Sequence, residues 1–263
     1  MRRSADDIAL ALTEQHARLA QFTSIYESDE TPDMTFSYGV QDRYVAHLCQ
    51  AQGTDVAGYK IGLTTPRMQK LCGVTEPICG SILRNRILQS PATLRHAGYA
   101  RLGVESEIAV RVGADIKDAV HSKTTPPLES LIDDVCAAFE IIEDSAADYT
   151  KLAAISMVAD NSWNAGSVLG PSVRAAELKS LKDREGILYR DGAALDKGSS
   201  NDVAGDPLNV VLWLARHLQA RARDLEPGQW VSTGSIVPTV FVKPGERYRF
   251  TVTGLPPIEV EIT

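Results

Sequence analysis

The sequence predicts an α+β fold. Helix-like segments come first, a strand-rich segment closes the chain, and no regular βαβ alternation lies between them, which argues against a doubly wound sheet. The length of 263 residues suffices for one domain with a sizeable core. We expect a helical N-terminal region, residues 1–90, that carries the segment around Lys60, and a β-rich core, residues 91–263. The two should form one integrated domain.

Each element has a local signature. Ser4 caps a first helix with Asp7 three residues on, and Ile8, Leu10, Leu12, Ala17 and Leu19 give it an apolar side. "TFSYGVQDRYVAHLCQAQG" reads as a second helix stopped by Gly53. "GYKIGL" is short, apolar and bounded by glycine, as a strand is. In "GVESEIAV" alternation puts Glu105 and Glu107 on one face and Val104, Ile108 and Val110 on the other, the pattern of a half-buried strand. Leu128, Leu131, Ile132, Val135 and Phe139 recur at helical spacing after two prolines, so a helix is expected there, with a strand resuming near Glu140.

Asp206 and Pro207 begin a further helix with a stripe of Leu208, Val211, Leu212, Ala215 and Leu218. It should end near Pro227 and Gly228, with Arg216, Arg221 and Arg223 on its solvated face. The remaining tail is strand-rich and turns at Pro244-Gly245.

Composition removes several function classes. A net charge of −7 argues against nucleic-acid or anionic-membrane partners, which call for a basic face. No apolar run approaches the roughly 20 residues needed to cross a bilayer. Cys49, Cys72, Cys79 and Cys136 lack chelating or disulfide-framework spacing, so they read as reduced thiols in a cytoplasmic enzyme. His16, His47, His96, His121 and His217 are scattered, with no metal motif, and read as surface or packing residues.

Glu105, Glu107 and Glu140 are the residues with most chemical promise. Three carboxylates suit a hard divalent ion such as Mg²⁺ or Mn²⁺. From spacing alone a solvated strand face and a glycosidase-type acid/base pair are the alternatives, and Glu143 or Asp144 could replace Glu140. Lys60, among glycines and apolar residues, is either desolvated, with a lowered pKa suited to proton transfer, or snorkelling from a strand end. Asp160, Asn161, Ser162 and Asn164 lie among small residues, as in a polar turn or a place where backbone approaches a ligand, and "STGS", Ser232 to Ser235, offers hydroxyls and amides to a carboxylate.

Together, "GYKIGLTTPRMQKLCGVTEPICGSIL", "GVESEIAVRVG", "AAFEIIED", "VADNSWNAGSVLG", "PLNVVLWLARHL" and "VSTGS" occur in an order that resembles the 2-keto-4-pentenoate hydratase and 4-oxalocrotonate decarboxylase family, within the fumarylacetoacetate hydrolase superfamily. The likeness runs from about Gly58 to the C-terminus. It implies a mixed β-roll core with helices packed outside, and a homo-oligomer. It further implies Mg²⁺ or Mn²⁺ on Glu105, Glu107 and Glu140, with Lys60 moving protons. Asp160, Asn161, Ser162, Thr233 and Ser235 would line the substrate pocket, with Asp160 orienting Lys60 and Thr233 anchoring the carboxylate. Ile78, Cys79, Trp163 and Ile236 would form its wall.

The implied activity is hydration of a 2-hydroxy-2,4-dienoate from aromatic meta-cleavage. The substrate is then a small 2-oxo or 2-hydroxy acid. Decarboxylation of a 2-oxo-3-enedioate is the nearest alternative. Acylpyruvate hydrolysis and a non-catalytic subunit follow, and association with a homologous decarboxylase is a further expectation. One departure stands out: "EPICG" places Ile78 where many relatives carry an aspartate, which puts the second acid/base group in question.

Overall fold

The computed structural model describes residues 3–23, 25–26, 32–114, 116–120, 126–151 and 153–263; His121 lies outside them. Two N-terminal helices, α1 (Ala5–Ala17) and α2 (Met34–Gln52), precede strand β1 (Val56–Gly62), helix α3 (Pro66–Leu71) and strands β2 (Ile78–Leu83), β3 (Ile87–Gln89) and β4 (Ala92–Leu94). The long strands β5 (Leu102–Val112) and β6 (Ile132–Glu143) flank the short helices α4 (Ile116–Ala119) and α5 (Leu128–Leu131). Helix α6 (Ala154–Ala159) leads to β7 (Asn164–Leu169), β8 (Val173–Arg174), β9 (Glu185–Arg190) and β10 (Ala193–Ser199). Helix α7 (Pro207–Ala220) and strands β11 (Trp230–Phe241), β12 (Arg247–Val252) and β13 (Ile258–Ile262) complete the chain.

The fold is α+β. Among the described residues one sheet runs β2-β1-β11-β5-β6-β7-β3, with β8 on β6, and a second runs β10-β9-β12-β13-β4. The N-terminal strands β1 and β2 thus belong to the sheet built mainly by the second half of the chain. Phe139 of β6 meets Phe250 of β12 at a ring separation of 6.2 Å, so the core lies between the sheets. Helices α1 and α2 pack Ile8, Leu12, Tyr44, Val45 and Leu48 against Leu83 and Ala159, closing the other side. Each such fully buried aliphatic side chain contributes roughly 1.5–3 kcal/mol relative to exposure.

The helix boundaries follow the local chemistry. Ser4 and Asp7 form a reciprocal capping box, Asp33 caps α2, and Gly53 ends α2 at φ 60°. Asp206 caps α7 with Pro207 in its first turn, and the expected apolar stripe is buried. The C-terminal strands also follow the sequence reading. On α1, however, Leu10 is exposed, Leu19 lies exposed beyond its end, and the buried stripe is Ile8, Ala9 and Leu12.

Three expectations are corrected. The helix read over Leu128 to Phe139 is a single turn, and β6 begins at Ile132. Both faces of β6 are packed, every residue of it but Asp133 being buried, so its continuous apolar run loses the two-residue alternation that marks a strand. Strand β5 is not half-buried for the same reason, as Glu107 and Ala109 are as sealed as Val104 and Ile108. Helix α7 stops at Ala220. Beyond it Ala222 takes φ 56°, and Arg221 and Arg223 turn back to Asp42 at 2.9 and 2.8 Å, which half-buries Arg221, while Arg216 and Arg223 stay exposed as expected.

Candidate metal and active site

Strand register assembles the site. Glu105 on β5 lies opposite Glu140 on β6, Ser235 on β11 opposite Glu107, and Lys60 on β1 opposite Ser232. Strands β1 and β6 are three steps apart, which on a flat sheet is about 14 Å. Lys60 Nζ nevertheless lies 3.1 Å from Glu140 Oε1, so the sheet curls and its concave face carries both residues. Register irregularities along β11 at Ser232–Ser235 and Ser235–Val237 supply bulges that bend it there.

The carboxylates of Glu105, Glu107 and Glu140 each offer an oxygen, and these atoms lie within 4.8 Å of one another. Their other oxygens are held by the protein. Glu107 Oε2 accepts the Gly234 N–H at 3.0 Å, Glu140 Oε1 accepts Lys60 and, at 3.0 Å, Asn164 Nδ2, and Glu105 Oε1 accepts the Thr239 hydroxyl. Glu107 Oε1 and Glu140 Oε2 are buried with no protein donor. An all-oxygen set with orphaned buried carboxylate oxygens fits a hard divalent cation, and outer hydrogen bonds of this kind fix ligand orientation.

The charges are costly without such an ion. Burial, then the fields of Glu140 and Glu105, push the Glu107 carboxyl well above its ordinary value. Burial raises Glu140 to about 7, against the lowering field of Lys60. For Lys60, burial disfavours the ammonium, but Glu140, Glu105 and Glu107 together outweigh it and raise its pKa. Of the two readings of Lys60, burial rather than snorkelling holds, but without the lowered pKa: neighbouring anions, invisible in the local sequence, favour the ammonium form in the metal-free chain.

Comparison with known proteins follows from this arrangement. The family profile described as fumarylacetoacetate (FAA) hydrolase C-terminal matches residues 80–263. The chain belongs to the fumarylacetoacetate hydrolase family. It is 29% identical over 238 residues to a 2-keto-4-pentenoate hydratase of Paraburkholderia xenovorans, covering 89% of this chain and 86% of that protein. It is 28% identical over 260 residues to a 2-keto-4-pentenoate hydratase of Burkholderia vietnamiensis, covering 99% and 98%. A solved 4-oxalocrotonate decarboxylase from Pseudomonas putida G7, complexed with magnesium and adipate, superimposes with a TM-score of 0.88 at 22% identity over 98% of this chain and 97% of that one. The last likeness shows the fold.

Beside the carboxylates, this member of the fumarylacetoacetate hydrolase family has a cavity of about 690 Å³. Lys60, Glu105, Ser162 and Ser235 are among its polar residues, and Ile78, Met157, Trp163 and Ile236 are among its apolar ones. Cys79, expected on this wall, instead lies behind it, where its N–H donates to the Tyr38 hydroxyl at 3.2 Å. Asn161, Ser162 and Trp163 form a turn with φ of 47°, 51° and 61° in succession. Such backbone is unfavourable for residues with a Cβ and persists only where surroundings over-determine it. The Asn161 amide does so by bonding both the N–H and C=O of Ser81 at 2.7 and 2.9 Å, while the Ser162 hydroxyl donates to the Cys79 carbonyl at 2.8 Å. The turn aims Trp163 at the cavity and Asn164 at Glu140.

Not every residue singled out in the sequence reaches the carboxylates. Asp160 is turned away from Lys60: its Oδ1 lies 2.6 Å from His16 Nε2, across 144 positions of sequence. Its expected role in orienting Lys60 is corrected, since Glu140 is the lysine's partner. The Thr233 hydroxyl donates to the Ile108 carbonyl at 2.9 Å and ties β11 to β5, so its proton is committed there and not to a substrate carboxylate. Ser235 faces the cavity with its hydroxyl proton on the Val237 carbonyl. Sequence reasoning missed Thr239, and it singled out Asn164 and the Ser232–Ser235 amides without finding their partners, Glu140 and Glu107. Thr239 left no local signal, since it acts through the pairing of β11 with β5.

Proposed function

We propose that this chain is a metal-dependent hydratase, adding water to a 2-hydroxy-2,4-dienoate to give a 4-hydroxy-2-oxo acid in aromatic meta-cleavage breakdown. The observation that carries this reading is a buried lysine, paired with one of three convergent carboxylates, on the wall of a largely apolar cavity. The relatives named as hydratases, similar over most of both chains, support it.

Glu105, Glu107 and Glu140 would hold Mg²⁺ or Mn²⁺. When bound, the ion supplies Lewis acidity toward the substrate's C2 oxygen and a carboxylate oxygen. Lys60, paired with Glu140 on the cavity wall, would deliver a proton to C5 as the dienol becomes a 2-oxo-3-enoate and take up the proton the enol oxygen gives up. That enone is electrophilic at C4, where water adds, and a proton arriving at C3 completes the product. The hydroxyls of Ser162 and Ser235 already donate to carbonyls, so toward substrate and water they act as acceptors. Ile78, where many relatives carry an acid, joins Met157, Trp163 and Ile236 in excluding bulk water.

The second reading is 2-oxo-3-enedioate decarboxylation. Arg67 favours it, lining the cavity without an ion pair among the described residues and so free to meet a second carboxylate. Supplying 2-hydroxypenta-2,4-dienoate and 2-oxo-3-hexenedioate with Mg²⁺ or Mn²⁺ decides between them. Hydrated product without CO₂ supports the first reading, and CO₂ from the diacid alone supports the second. Metal-loaded, folded protein that turns over neither would defeat both, leaving a non-catalytic subunit or an acylpyruvate hydrolase.

Cytoplasmic residence, a homo-oligomer and association with a homologous decarboxylase belong to the same proposed reading. Among the described residues no helix is long and apolar enough to cross a membrane, and the thiols are free. Sedimentation of the purified chain, alone and with such a decarboxylase, tests the assembly.

A further inference from the structure

A second cavity, of about 600 Å³, lies between the N-terminal helices and the ends of β6 and β7. Its wall includes His16 of α1, Tyr44 of α2, Arg86, Arg95, Glu143 and Asp160. The carboxylates there are turned to protein donors. Glu143 accepts the backbone N–H groups of Ala100, Arg101 and Ser145 at 3.1, 3.2 and 3.3 Å, and Asp160 Oδ1 faces His16. Asp160 Oδ2 is sealed from solvent.

The cations are in the opposite condition. Among the described residues neither the half-buried Arg86 nor the exposed Arg95 forms an ion pair or a side-chain hydrogen bond. The His16 ring stacks on Tyr44 at 5.7 Å with 21% of its side chain exposed, and its Nε2 is engaged by Asp160, leaving Nδ1 as the free ring nitrogen. A half-buried guanidinium without a partner is unusual, because its desolvation is uncompensated.

We propose that this cavity binds a small oxyanion, carboxylate or phosphate, held by the Arg86 guanidinium and by the Nδ1–H of His16 in its imidazolium form, with Arg95 at the rim. Arg86 offers the planar donor fork that matches both anions. The Asp160–His16 bond fixes which ring edge faces the cavity, as a carboxylate does for an imidazole elsewhere. The site is distinct from the carboxylate cluster, with which it shares Trp163 as a wall and Asn164 as the residue that bonds Glu140.

The test is a titration of the full chain with inorganic phosphate and, separately, with acetate, following the imidazole NMR signals of His16. They are assigned with His16→Gln and read at constant pH and ionic strength. Saturable shifts with a Kd of about 1 mM or tighter are expected for at least one anion. Arg86→Gln should weaken binding about tenfold or more, and Arg86→Lys should recover part of it. Glu107→Gln, in the other site, should leave the titration unchanged, so the result stands apart from the hydratase reading. No saturable shift with either anion would overturn the proposal. So would a shift that survives in folded Arg86→Gln, or one lost in Glu107→Gln.

Discussion

Replacing Glu107 by glutamine should stabilise the metal-free protein and weaken its response to metal, which is the reverse of what loss of a buried hydrogen-bonded residue ordinarily does. The three carboxylates lie within 4.8 Å of one another and are offset by the single ammonium of Lys60. At an effective dielectric constant of about 20, two like charges at that distance repel by about 3 kcal/mol. Glutamine removes two such repulsions, keeps an oxygen for the Gly234 N–H, and turns an amide toward Glu105 and Glu140. Loss of attraction to Lys60 and the raised pKa of Glu107, which lets the wild type take up a proton, reduce the gain. We expect Glu107→Gln to be about 1–3 kcal/mol more stable than wild type in EDTA at pH about 8.

Urea unfolding monitored by circular dichroism measures this directly. Saturating Mg²⁺ should add about 2.7 kcal/mol to the wild type at a hundred times its Kd, and much less to the variant. A variant less stable than wild type in EDTA, or Mg²⁺ stabilising both proteins equally, would refute the reasoning.

The same electrostatics set a pH dependence. Glu107 and Glu140 have raised folded-state pKa values, the latter about 7, so the folded protein binds more protons than the unfolded chain above pH about 4.5. Their stabilisation is present below the unfolded pKa and is lost as pH rises through the folded one. The advantage of Glu107→Gln in EDTA should therefore shrink as pH falls from about 8 to about 5. Asn164→Leu removes the amide that orients Glu140, and calorimetry should show Mg²⁺ affinity reduced about 10–100-fold with little change in fold. Lys60→Met should abolish turnover while tightening Mg²⁺ binding about tenfold, since a cation beside the ion's ligands is gone; weaker binding would contradict the charge balance. Gly234→Ala adds a Cβ at φ 117° and 2.7 Å from Thr64 Cγ2, so a loss of about 1–3 kcal/mol in urea unfolding is expected, with weaker metal binding through Glu107.

Local chemistry was legible in the sequence wherever one short stretch contained the whole interaction. Ser4 with Asp7, Gly53 after α2, and Asp206 with Pro207 each fix a helix end within a few residues. Alternation placed Glu105 and Glu107 together and residue chemistry made Glu140 and Lys60 candidates, while the likeness to a known family gave the four their joint roles. Central strands were harder to read. Buried on both faces, β6 carries no alternation, and its Val135 and Phe139 fell at helical spacing by coincidence. Contacts distant in sequence left no local trace. His16 and Asp160 meet across 144 residues, Thr239 reaches Glu105 across 134, and Arg221 folds back to Asp42. A cluster's net charge is likewise a property of assembly, which is why the lowered lysine pKa, one of the two readings its apolar neighbours allowed, had the wrong sign.

The measurement closest to the central claim is a Mn²⁺ titration followed by electron paramagnetic resonance of the free ion. One tightly held Mn²⁺ per chain is expected for the wild type, with the bound signal altered by oxalate, a mimic of the substrate's chelating end. Glu105→Gln, Glu107→Gln and Glu140→Gln should each weaken that binding and together abolish it. Undiminished Mn²⁺ binding in the folded triple variant would show that the three carboxylates do not hold the ion.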